Sequence, residues 1–440
     1  MRTPILISML AAAICACGND EELSPDPEDG NRPPPRIIAG GGIGDGPIDG
    51  VVNLYVIDDA TRAPIPGASV RIGDVDGTTG ADGLFVAEGV VGPQTVSVKA
   101  GSYRSEVWIG ADGANMTLSL VKADPGAAPS GVLQGQIAGF AGLTVPAGHA
   151  KDAVIVASQT GDLGDPGNEL PNTMNSCFVR LAGQDCPFTL TARTGKVALV
   201  AAIFDRDLKG TPTVFTDDTV TLIGWATRRG VTVSAGTAPV PGMDLTLLGA
   251  GQLQTVSVDF GAPPSLQAVA GLVGLDLGDE GVLQLPTVVT KAASSLLVPR
   301  LEAVSASGYR LTGIATEGQP VTQQSVVLRK GQTGTQLSAG AWLAIPAGVT
   351  ADRAGASWTP VAGATVHSVE YKSGATRVLN VTVLDGSSRV TVPSLIALPT
   401  GSLSIAVNAI GAPGLDVTSF SLDADEDKLV QVGGRTVQLD

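Results

Sequence analysis

The sequence predicts an all-β protein built as tandem β-sandwich domains. Three observations carry this. The 57 glycines and 29 prolines make up about a fifth of the 440 residues, and only 16 % are charged, so helix-forming Lys-Glu-Ala-Leu runs are scarce. Short stretches alternate apolar and polar residues, which buries one face of a strand and wets the other. Gly-rich and Asp-Gly turns punctuate them at the intervals of sheet proteins. A chain this long exceeds one comfortable core and should divide into two to four domains.

The N-terminus has its own chemistry. After Arg2 comes an apolar run of about ten residues, Ile5 to Ile14, too short to cross a bilayer as a helix of roughly 20 residues. A basic start, an apolar middle and a small-residue end make a secretory signal. The run closes on Ile14-Cys15-Ala16-Cys17-Gly18, which resembles the lipobox of bacterial lipoproteins. There a branched apolar residue stands three before the modified cysteine and a small residue directly before it. Cys17 meets both conditions through Ile14 and Ala16, whereas Cys15 would have Ile14 in the small position. The resemblance therefore implies residues 1–16 as signal, Cys17 as the lipidated first residue of the mature chain, and the loss of Cys15. It implies several acyl chains, a firm anchor where one chain would hold only marginally. The expected partner is a lipid bilayer, with the bacterial outer membrane as address, because Gly18 stands where an inner-membrane retention aspartate would.

Residues 17–47 are rich in Pro, Gly and acids and read as a disordered tether, with local polyproline II at Pro33 to Pro35. The glycine-rich "AGGGIGDG" (39–46) lacks the lysine of a phosphate loop and reads as part of that linker. Two acidic runs, Asp20 to Asp29 and Asp423 to Asp427, read as solvated tethers.

Residues 48–122 hold the most specific pattern. The strand-like Val51 to Asp58 is followed by Pro66-Gly67 before an alternating strand, Asp82-Gly83 before Phe85, and Val96 to Lys99 followed by Gly101 and Tyr103. Pro66-Gly67 is a turn signal, and Asp82-Gly83 a tight-turn dipeptide that reverses a hairpin. The order of parts resembles the carboxypeptidase regulatory-like domain, a small transthyretin-like β-sandwich, and implies that fold and no catalysis.

Residues 128–250 read as a second sandwich. Cys177 and Cys186, an even pair in an exported chain, predict a disulfide closing a loop of about ten residues. Asp205, Asp207 and Gly210, with Asp217 and Asp218 nearby, have the oxygen-rich start of a calcium loop but lack its closing acid, so an acidic strand-to-strand turn is favoured. Residues 251–335 read as a third β-rich domain. In 336–440, Trp358 before Pro360, then Val369 and Tyr371, and Leu398 to Gly401 leading into a strand, resemble a fibronectin type III-like sandwich with Trp358 as core plug and an acidic tail.

Catalytic chemistry is thinly supplied. Two histidines, His149 in a loop and His367 in a strand, cannot build a three-histidine zinc site, and no Gly-x-Ser-x-Gly elbow occurs. A net charge of −15 without a basic patch argues against nucleic acid. The reading is a non-enzymatic envelope lipoprotein, structural or adhesive, with no cofactor or metal and with an envelope protein or polysaccharide as partner. The alternatives are a carbohydrate-binding protein, which an exposed aromatic cluster would support, and a hydrolase, which two unneutralised carboxylates would support.

Overall fold

The computed structural model describes residues 33–439 apart from 125, 127–128, 159–173, 180–182, 212–216, 265, 267 and 290–292. Cys17 and the lipobox lie outside the described residues. The chain is all-β: thirty-one strands, two single-turn α-helices and four 3-10 turns occur among the described residues.

The first unit is a sandwich. Strands Ser69–Ile72, Gln94–Lys99 and Ser105–Ala111 form one layer; Asp49–Asp58, Leu84–Val91 and Asn115–Leu120 form the other. Alternation puts Val70, Ile72, Val96, Val98 and Trp108 on the inner face against Val52, Leu54, Val56, Met116 and Leu118. Gly67 takes the left-handed conformation its turn requires. The Asp82-Gly83 turn corrects an expectation. Instead of closing a hairpin, it carries the chain between layers: Val75–Thr78 pairs with Ser69–Ile72, and Leu84–Val91 pairs with Asp49–Asp58.

The second unit departs from a sandwich. One sheet, ordered Asn175–Val179, His149–Ala157, Gly195–Asp207, Thr219–Val233, Leu245–Leu247, Ser130–Ala138, Pro187–Arg193, curls around a single core. Both ends of the path, through Val179 and through Phe188 and Leu190, reach that core with Ile155, Leu199, Ile203 and Ile137. The outer face of its two longest strands is apolar too: Ala198, Val200, Ala202 and Trp225 are buried against Val256, Val273 and Leu283 of the third unit. A strand apolar on both faces needs cover on both, and the curled sheet and its neighbour supply it.

The third and fourth units each oppose a three-stranded sheet to a larger one. Leu253–Asp259, Ala293–Pro299 and Gln336–Ser338 close the third core; Ala347–Ala351, Gly355–Thr359 and Arg389–Thr391 close the fourth, where Trp358 is buried with Tyr371 and Val407. One layer of the first unit and the larger layers of the third and fourth units are one twelve-stranded sheet. Its continuity rests on two junctions. The last strand, Gln431–Leu439, pairs with Leu403–Gly411 on one side and with Gln323–Gln332 on the other. Thr376–Val383 lies parallel to Ser105–Ala111, so the last unit joins the first directly.

His367, on the strand Val366–Ser373, is buried with its ring 5.3 Å from that of Trp358. Burial holds its pKa below the usual value of 6.5. The unfolded chain therefore takes up this proton first as the pH falls. The contribution is complete above pH 6.5 and is lost as the pH drops from 6.5 toward the lower folded-state pKa. A His367→Gln variant should show a smaller fall in denaturant midpoint between neutral pH and pH 5 than the parent; equal slopes would show that His367 does not titrate with unfolding.

Candidate functional site: the root of the N-terminal segment

If the chain is held at its N-terminus, the first docked residues receive any load. They are not a free tether. Gly42–Gly44 is a strand inserted between Asn115–Leu120 and Phe420–Ser421, and Ile43 is 1 % exposed. This corrects the assignment of residues 33–47, including "AGGGIGDG", to linker. The glycines serve close approach: Gly42 has φ +153°, and a Cβ there would collide with the Phe420 carbonyl. Composition reads such a stretch as flexible because it supplies little to bury; here two isoleucines, Ile38 and Ile43, suffice.

Three buried polar side chains of the first unit hold the segment. Asn115 donates to the Pro34 carbonyl at 3.0 Å and to Asp45 Oδ2 at 2.6 Å, and its Oδ1 accepts from the Arg36 backbone N–H at 3.2 Å. Asn53 donates to the Pro33 carbonyl at 3.1 Å, and Thr117 Oγ1 accepts from the Ile38 N–H at 2.8 Å. The Arg36 fork meets both oxygens of Asp45 at 2.6 and 2.8 Å. Burial works against the Asp45 charge, but Arg36 and Asn115 outweigh it and hold the carboxyl below its usual range.

The acidic run near the C-terminus also departs from its reading as a solvated tether. Leu422–Asp425 forms a helical turn whose residues clasp the root. The Leu422 N–H donates to the Gly41 carbonyl at 2.8 Å, and Ser421 Oγ donates to the Ala39 carbonyl at 2.8 Å. Asp423 meets Arg62 of the first unit at 3.1 Å; Asp427 and Glu426 meet Lys330 of the third at 2.8 and 3.5 Å. The Arg310 guanidinium is buried, which depresses its pKa to about 10 against the field of Glu426 and Asp427. The acids thus have cations set by two other units, a placement no local pattern discloses.

The remaining candidates fall at the second unit. Cys177 and Cys186 are disulfide-bonded, with Cα atoms 5.8 Å apart, and join the two end strands of the curled sheet. Replacing both with serine should cost about 2–3 kcal/mol on the chain-entropy model and should speed amide exchange in 175–179 and 187–193; an unchanged melting temperature would show that the hydrogen-bonded sheet closes without the bridge. His149 opens a strand, half-buried, with Nδ1 2.8 Å from Asp205 Oδ1 and Nε2 3.8 Å from Asp207 Oδ1. Lys209 binds Asp207 at 2.5 Å. Both aspartates therefore have cationic or imidazole partners, and among the described residues no group of three or more metal-ligating side chains is gathered.

One carboxylate neighbourhood bears on hydrolysis. On the twelve-stranded sheet, Asn380 lies between Glu106 and Glu370 in the cross-strand register. Glu106 is half-buried, and burial pushes its pKa to about 8 although Asn380 donates to it at 2.6 Å. Glu370 is buried but neutralised by Arg377 at 2.9 Å and Lys372 at 3.0 Å. Glu370 thus has the basic neighbours that a free catalytic carboxylate would lack. Aromatic side chains likewise sit inside: Trp108, Trp225, Trp358, Tyr309 and Tyr371 are buried, and the exposed Phe178 ring has the Arg206 guanidinium 5.6 Å from its centroid.

Comparison with known proteins adds little. No protein-family model matches the chain, and no curated protein matches it. Among solved structures, the Bacillus anthracis TIE protein aligns with 66 % of this chain and 50 % of its own, at 9 % identity and a TM-score of 0.14. A DUF3823 family protein from Bacteroides uniformis aligns with 40 % of this chain and 100 % of its own, at 10 % identity and 0.13. The major pilin subunit of Bacillus cereus aligns with 66 % and 97 %, at 10 % identity and 0.15. This chain spans half the length of the first of these. At such TM-scores the likenesses carry no argument about function.

Proposed function

We propose that this chain is a non-enzymatic envelope lipoprotein, a structural or adhesive module held at a bacterial outer membrane by acyl chains on Cys17. The observation that supports the reading best is the docked root. The chain is fastened from Pro33 onward, so the stretch from Cys17 to Pro33, even fully extended, would reach at most about 58 Å. A lipid at Cys17 would then keep the first unit close to the bilayer. The root and the acidic clasp would pass load into the first and third units at once. Among the described residues no helix is long and apolar enough to cross a membrane. Buried aromatics weigh against the carbohydrate-binding alternative, and the neutralised Glu370 weighs against the hydrolase.

The test is incorporation of radiolabelled palmitate in growing cells, with Cys17→Ala and Cys15→Ala variants, and protease shaving of intact cells. Label lost in Cys17→Ala and kept in Cys15→Ala is expected. Label persisting in Cys17→Ala would overturn the anchor assignment. Shaving decides whether the module faces outward or toward the periplasm.

A further inference from the structure

The parallel pairing of Ser105–Ala111 with Thr376–Val383 joins the first and fourth units edge to edge, and it holds a carboxylate that the surrounding cluster does not neutralise. Glu106 stands opposite Asn380 in the register, and Asn380 stands opposite Glu370 on the next strand, Val366–Ser373. Side chains of one cross-strand row share a face of the sheet, so the two acids flank one amide. The cations of the cluster are divided unequally between them. Arg377 reaches Glu370 Oε1 at 2.9 Å, and Lys372 reaches Glu370 Oε2 at 3.0 Å. Glu106 Oε1 accepts from neutral donors, Asn380 Nδ2 at 2.6 Å and Thr382 Oγ1 at 3.4 Å. Among the described residues Glu106 makes no ion pair. Arg104, two residues before it, is buried but forms none with it, and its register neighbour on the other side, Val98, is apolar.

A carboxyl placed here resists ionising. Its charge would lose water, and across the shared amide it would face a second carboxylate, Glu370; the two neutral donors and the field of Arg377 offset this only in part. We infer that the joint between the first and fourth units is a proton-operated latch, holding while Glu106 is neutral and parting more readily once Glu106 is ionised. Desolvation, the largest influence, raises the folded-state pKa of this group to about 8 from the ordinary 4.5. The folded chain therefore keeps a proton that the unfolded chain releases. The contribution is complete below pH 4.5, declines as the pH rises, and is gone above about pH 8. Parallel pairs are slightly weaker per residue than antiparallel ones, which makes this joint the one where a single added charge tells. The latch needs neither Cys17 nor a membrane, so it stands apart from the anchor.

The experiment is amide exchange of the full chain at about pH 6 and about pH 9, expressed as protection factors so that the intrinsic pH dependence of exchange cancels. Protection in Ser105–Ala111 and Thr376–Val383 should fall at least about tenfold at the higher pH, the equivalent of one pKa unit. The antiparallel pair Gly308–Glu317 and Gln323–Gln332 of the third unit should keep its protection. Glu106→Gln, which imitates the neutral side chain, should hold the joint equally at both pH values. A second measurement needs no variant: carbon-13 NMR of the parent chain labelled at its glutamate carboxyls should show a resonance titrating above about pH 7. Undiminished protection of the joint at the higher pH, an equal loss in both strand pairs, a loss that persists in Glu106→Gln, or the absence of a glutamate titrating above about pH 7 would each overturn the proposal.

Discussion

Replacing Glu280 with alanine is expected to lower the unfolding free energy by about 3 kcal/mol, the largest single effect anticipated in this chain. Glu280 belongs to the third unit and is 6 % exposed, yet its partners come from the second. Its Oε2 accepts from Arg229 Nε, and its Oε1 accepts from the Gly230 N–H at 2.7 Å. The same Arg229 donates to the carbonyls of Val304 and Ser305 and, at 3.2 Å, to that of Leu277. The Glu280 carbonyl accepts from Ser158 Oγ at 2.6 Å and from Arg193 at 2.9 Å. Alanine would leave a largely buried guanidinium without its anion, which is the costly way to break such a pair. Glu280→Gln should fall between the two, because it keeps an acceptor and loses the charge. Urea unfolding reads both the midpoint and the number of transitions. If the clamp couples the units, Glu280→Ala should also split one transition into two; a midpoint shift equivalent to under about 0.5 kcal/mol would remove the clamp from the account of stability.

Asn115→Ala is expected to cost about 2–3 kcal/mol and, more tellingly, to release the root. One fully buried side chain makes three hydrogen bonds to residues 34, 36 and 45, one of them charge-assisted by Asp45. The Thr117 contact to Ile38 survives the substitution, so the segment should loosen first at 33–36 and at 45. Amide exchange at Arg36 and Ile43 should rise well beyond the change at Leu118, which keeps its own ladder with Asp49–Asp58. Unchanged exchange at Ile43 would mean that insertion between two strands alone fastens the segment. Gly42→Ala reaches the same segment by collision with the Phe420 carbonyl, and concordant exchange patterns in the two variants would separate root release from general destabilisation.

Much of the local structure was legible in the residues. Pro66-Gly67, the strand that follows it, the strand at Val51 to Asp58 and the buried Trp358 follow from turn chemistry and two-residue alternation, which act within a few residues. The cysteine pair was legible for the same reason, since two thiols nine positions apart need only a short loop to meet. His149 was placed in a loop, yet it begins a strand and bonds to Asp205; nothing near it in sequence announces a partner 56 residues away. The roles of Lys151, Glu280 and Arg229 gave no signal at all. Lys151, buried, donates to the Phe140 carbonyl at 2.8 Å, and a lone lysine in a strand reads as a solvated charge until the neighbouring turn is known.

Sequence by itself determined the all-β class, the inside and outside of most strands, and the turn positions, because glycine, proline and alternating apolar residues act on the backbone where they stand. Only the tertiary structure decided which edges meet. Backbone hydrogen bonds are the same at every residue, so no pattern marks Gln431–Leu439 as the strand that fuses the third and fourth units, or Thr376–Val383 as the neighbour of Ser105–Ala111. For the same reason a glycine-rich stretch that reads as linker became a central strand. Its fate depended on Phe420 and Asn115, whose positions are set by the remainder of the fold.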